Sequence, residues 1–110
     1  MTSPLVLQIV TTTNSHEEAM RIARALVEDR LVACAQVSGP VNSIYRWQGK
    51  VQTDEEWRCS VKTLKSKYEE VESAMRKLHT YDEPEIVATE IVAGSKSYLE
   101  WVQVQCEAQG

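Results

Sequence analysis

The sequence predicts an α+β sandwich: a four-stranded antiparallel sheet backed by helices and carrying one long β-hairpin. Three observations predict it. Two segments repeat apolar residues at helical spacing, and four others are rich in β-branched and alternating residues. These segments follow one another as strand, helix, strand, strand, helix, strand.

Leu5 to Thr12 is β-branched and almost continuously apolar, the pattern of a central strand covered on both faces. Asn14 and Ser15 are helix caps by type, with Glu17 and Glu18 three residues beyond them at capping-box spacing. Ala19, Ile22, Ala23, Leu26 and Val27 then recur at i, i+3, i+4, i+7 and i+8, which only a helix gathers on one face. Leu31 to Trp47 is extended but interrupted at Ser38-Gly39-Pro40, where glycine and proline mark a bulge or bend. Gln48-Gly49-Lys50 is a turn, and Val51 to Thr63 is the returning strand. In it Trp57, Cys59, Val61 and Thr63 alternate with Glu56, Arg58, Ser60 and Lys62, so Lys62 faces away from the Cys59 side. This hairpin is longer than a small domain needs.

Ser66 and Glu69 repeat the capping-box spacing ahead of a second helix with Tyr68, Val71, Met75 and Leu78 as its inward stripe. His79 to Pro84 is a loop, because the residue before proline is pushed out of helix. Glu85 to Ala93 is the fourth strand, Gly94-Ser95 closes it, and Tyr98, Leu99, Trp101 and Val102 begin a short last helix.

With right-handed crossovers, the βαββαβ order becomes a ferredoxin-like sandwich with two helices on one face of the sheet. The other face is the difficulty. Leu5, Leu7 and Ile9 lie on one side of the first strand, and Val6, Gln8 and Val10 on the other. In the fourth strand Ile86 and Ala88 oppose Val87 and Ile91. Both faces require cover and one chain supplies it for one, so the chain is expected to oligomerise.

The 110 residues are expected to form one domain spanning 1–110. A net charge of −4 argues against nucleic acid and anionic membrane as partners. The start, Met1-Thr2-Ser3-Pro4-Leu5, lacks the basic, then apolar, pattern of a signal peptide, and no apolar run approaches a membrane span, so a cytoplasmic location is expected. Cys34, Cys59 and Cys106 form no CxxC pair, which argues against a zinc knuckle or thioredoxin-like site. No nucleophile elbow or glycine-rich phosphate loop occurs, and His16 and His79 are the only histidines, so no enzymatic activity is expected.

Several stretches are more specific. SIYRWQGKV at Ser43–Val51, VKT at Val61–Thr63, HTYDEPEI at His79–Ile86 and YLEW at Tyr98–Trp101 resemble, in order and spacing, the divalent-cation tolerance (CutA) family. ARALVEDRLVACAQV at Ala23–Val37 is similar to that family's first helix and second strand. The resemblance implies a homotrimer in which the long hairpins extend sheets across subunits. It also implies a link to copper and other divalent-metal tolerance in bacteria, and in animal relatives to the anchoring of a membrane enzyme. Thr80 stands where the family's loop usually has proline, and Val10 and Leu78 stand where copper-linked members carry a cysteine and a second histidine.

His79 and Cys34 are therefore the candidate metal ligands, with Asp82 and Glu85 available to complete a site for Cu(II) or another divalent cation. The plain alternative is a core cysteine and a surface-loop histidine. Tyr45, Trp47, Lys62, Tyr81, Asp82, Glu85 and Trp101 are candidates for a ligand cleft or subunit interface, with Trp57 expected near the first two. The competing functional reading is a trimeric signalling or scaffolding module that binds a small anionic metabolite or a partner protein at its subunit clefts.

Overall fold

The β-branched run near the N-terminus forms β1 (Val6–Thr13), an inner strand of the sheet. It leads to α1 (His16–Glu28), then β2 (Cys34–Trp47) and β3 (Lys50–Leu64), which make the long hairpin. A 3-10 turn at Lys65–Lys67 precedes α2 (Tyr68–Leu78), and β4 (Ile86–Ile91) and α3 (Lys96–Glu107) complete the chain. These elements come from a computed structural model that describes residues 4–107. The sheet order is β2-β3-β1-β4, antiparallel throughout, which is the ferredoxin-like arrangement the sequence predicts.

The alternation along β1 and β3 sorts residues between two faces. Leu7, Ile9, Cys59 and Val61 meet Ile22, Leu26, Val71 and Met75 of α1 and α2 in the main core. On the opposite face, Val6 pairs laterally with Leu64 and Ile91, and Leu99, Val102 and Cys106 of α3 pack on that row. The last helix is longer than expected, at 12 residues, and partly covers a face that the sequence leaves wholly open. Beyond that row the cover is partial: Tyr98 of α3 reaches Cys34 and Val10 is buried, but Val87 is 51% exposed.

Gly39 sits at the predicted bulge. Pairing runs from Ser38↔Arg58 to Val41↔Glu56, so three steps on β2 match two on β3. Past the bulge, residues 50–56 of β3 pair with β2 alone, making a two-stranded arm about 20 Å long. Its turn is Gln48-Gly49, both at positive φ (50° and 79°), as a two-residue type I′ connection requires.

Some boundaries differ from the sequence reading. Leu31 to Ala33 are not strand: Arg30 turns left-handed (φ 59°), and the Leu31 and Val32 N–H groups both donate to Leu26 O, closing α1. Ser66 caps nothing. The Lys65 N–H is tied to Leu5 O at 2.9 Å, and the 3-10 turn then carries the chain into α2 without a side-chain cap. The fourth strand is shorter than Glu85–Ala93, ending where its pairing with Val6 ends.

Candidate functional site

Helix α2 stops at His79, whose backbone is extended and whose N–H still bonds Met75 O. The ring thereby reaches β1. His79 Nδ1 accepts the Tyr81 N–H at 3.3 Å, so the ring hydrogen sits on Nε2, 3.0 Å from Thr11 Oγ1. The Tyr81 ring stands 5.0 Å from the imidazole, and its hydroxyl donates to Glu56 Oε2 at 2.7 Å. The loop after α2 thus ties β1 to the root of the arm.

Burial is the largest influence on His79 and pulls its pKa down, against the opposing pull of the Glu18 carboxylate. The ring is neutral at pH 7. Tyr81 is pushed up, first by burial and then by its bond to Glu56, so it stays a hydroxyl donor. Glu18 lies alongside. It is 6% exposed, its Oε1 has no hydrogen-bond partner, and its Oε2 is 3.8 Å from Arg21 Nη2. Its N–H is capped by Ser15 Oγ at 3.1 Å, but the reciprocal half of the capping box is missing.

Cys34 belongs to a different place. It pairs with Lys62 across the hairpin, and Lys62 pairs with Gln8, all on the sheet face away from α1 and α2. Cys34 Sγ is 3.7 Å from Tyr98 OH, and the Tyr98 ring is 5.6 Å from that of Trp101. Burial, and then the Cys34 contact, pushes the Tyr98 phenol up. Thr11, beside His79, pairs with Cys59, three residues from Lys62 along β3 and on the other face. That separation is about 10 Å along the strand, with the sheet between. One chain therefore does not bring Cys34 and His79 to one ion. Among the described residues, no group of three or more His, Cys, Asp or Glu is arranged to hold a metal.

Tyr45 and Trp47 share a face of the arm, opposite Gln52 and Lys50, and the Tyr45 hydroxyl donates to Asp54. Trp57 is not near them. It pairs with Thr13 and packs against the Gly39 bulge, because the arm carries the other aromatics outward past the end of β1. Asp82 and Glu85 are exposed in the loop that holds Tyr81. Lys62 is half-buried and makes no ion pair with any described carboxylate, Glu85 included.

Sequence reasoning missed Glu18 and Glu56 as members of the His79 cluster. Glu18 read as a helix cap and Glu56 as the solvent half of an alternating strand. The one signal was Glu56 itself, immediately before the apolar set that starts at Trp57, where the loop of Tyr81 closes over it.

Residues 7–105 match the model of the family described as CutA1 divalent ion tolerance protein. The chain is 42% identical over 95 residues to the divalent-cation tolerance protein CutA of Thermus thermophilus, covering 86% of this chain and 92% of that one. It is 36% identical to the chloroplastic protein CutA of Arabidopsis thaliana, covering 93% of this chain but 56% of that longer protein. A solved structure from Archaeoglobus fulgidus, described as a periplasmic divalent cation tolerance protein CutA, superposes with a TM-score of 0.90 at 36% identity. That match covers 93% of this chain and 99% of the other.

Proposed function

Because the chain belongs to the CutA1 divalent ion tolerance protein family, we propose that it acts in divalent-cation tolerance as a non-enzymatic, cytoplasmic homotrimer that binds Cu(II) or another divalent cation weakly. The observation that carries this reading is the arm. A two-stranded hairpin alone in water is marginal, yet this one projects beyond the sheet with Ile44, Trp47 and Val51 exposed. An arm of that kind is supported by a neighbouring subunit. The exposed Val87 of β4, with Trp101 and Val104 of α3 also exposed, supports the same reading. The names of the Thermus thermophilus and Archaeoglobus fulgidus relatives, divalent-cation tolerance protein CutA, support a role in tolerance.

The geometry supports weak metal binding in particular. The one lone pair of the neutral His79 ring is already used by the Tyr81 N–H, so an ion must displace that bond. Light scattering after size exclusion tests the assembly: about three times the 12.5 kDa chain mass is expected, and a stable monomer overturns it. Calorimetric titration tests the metal. His79→Ala is expected to abolish Cu(II) binding, and Val10→Cys to leave it unchanged, because Val10 lies on the sheet face away from His79. Binding that survives His79→Ala assigns the ion elsewhere.

A second reading, a trimeric module that takes a small anionic metabolite or a partner protein at its clefts, is favoured by one observation. From the row of Val6 to the row of Thr12, the sheet face away from α1 and α2 carries Lys62 and Arg58 and no carboxylate.

A further inference from the structure

The chain is acidic overall, with 16 Asp and Glu against 12 Lys and Arg, yet the face just described is cationic. The register makes this explicit. One row across the four strands is Cys34, Lys62, Gln8 and Thr89, and the next is Gln36, Ser60, Val10 and Val87. Arg58 follows in the row of Thr12. Neither cation forms an ion pair with a described carboxylate. Lys62 is half-buried, and the exposed carboxylate of β4, Glu90, is engaged by Lys65 at 2.7 Å in the row of Leu7 on the other face. Helix α3 adds a donor, since the Tyr98 hydroxyl reaches Cys34, the lateral neighbour of Lys62.

We propose that Lys62, with the Gln8 amide and the Tyr98 hydroxyl beside it, forms a site for a small oxyanion, the carboxylate or phosphate group of a metabolite. This rests on the second reading above and names its site and ligand class. An ammonium flanked by neutral donors, with no acid in its row, suits a singly or doubly charged oxyanion. Arg58, four residues along β3, extends the positive field toward a ligand carrying a second acidic group. Any assembly that covers this face buries Lys62 further. An uncompensated buried ammonium is strongly unfavourable, so the covered face calls for an anion.

The test is titration of the full chain with inorganic phosphate and, separately, with succinate, by calorimetry at constant ionic strength. Saturable binding of at least one is expected, and which one binds tells phosphate from carboxylate. Lys62→Gln is expected to weaken it roughly tenfold or more, as loss of a charge-assisted bond does. Lys77→Gln, the same change of charge on the exposed side of α2, is expected to leave it unchanged. If Lys62→Gln fails to fold, Tyr98→Phe carries the test, with binding expected to weaken severalfold. Binding that ignores both variants overturns the site while leaving the anion reading in place. No binding of either probe overturns both. Loosened assembly in Lys62→Gln without any anion effect also overturns the proposal, and assigns the lysine to a carboxylate of a second copy instead.

Discussion

A β-carbon at position 39 would lie 2.7 Å from Trp57 Cδ1 and 3.0 Å from Glu56 O, and its backbone sits at φ +149°. Both the space and the dihedral demand glycine. Gly39→Ala is expected to cost at least about 2 kcal/mol, read as a lower urea midpoint; an unchanged midpoint would mean that the bulge relaxes freely. Cys59 makes a different prediction. Fully buried in the main core, its thiol is pushed up from 9.0 to about 11 by burial alone. The folded chain thus keeps a proton that the unfolded chain loses, so the contribution is complete below pH 9 and is lost as pH rises toward about 11. Over that window it amounts to about 2–3 kcal/mol. Alkaline denaturation of Cys59→Ala should lack this limb, and an identical alkaline slope would refute it. Both residues were legible from order alone, Gly39 from its proline neighbour and Cys59 from strict alternation. Glu18 and Glu56 were not, because what buries them is a loop distant in sequence.

Two serines with the same capping-box spacing behave differently as parts of elements. Ser15 Oγ accepts the Glu18 N–H at 3.1 Å, whereas Ser66 sits inside a 3-10 turn and the N-cap of α2 makes no side-chain bond. Ser15→Ala is expected to lower stability by about 1 kcal/mol, and Ser66→Ala by less than about 0.5 kcal/mol, in paired urea titrations. Equal losses would contradict the assignment. Spacing could not separate them, since a cap needs an extended residue before the helix and Lys65 is pinned to Leu5, just ahead of β1, instead. The same limit explains α3. Its stripe of Leu99, Val102 and Cys106 was partly visible, but the row it covers is set by sheet register, which strand sequences do not state.

At the scale of the molecule, the radius of gyration is 14.8 Å against about 13 Å for a compact chain of this length. The excess belongs to the arm, and the long axis reaches 50 Å. Trp47, near its tip and 53% exposed, is expected to anchor the proposed assembly. Trp47→Ala should weaken association by about 2 kcal/mol or more, shifting the trimer to lower order in dilution series by light scattering. A variant that stays trimeric with the same melting point would remove that role. The arm also separates two events in time. The sheet and its helices reach their contacts within one chain, but residues 50–55 of the arm pair with β2 alone. In a Trp57→Phe, Trp101→Phe variant, Trp47 is the one indole left to report on the arm. Its refolding signal should then contain a phase whose rate rises with protein concentration, following a first-order phase that does not. The tip of the hairpin is the clock for encounter, and the sheet behind it keeps its own time.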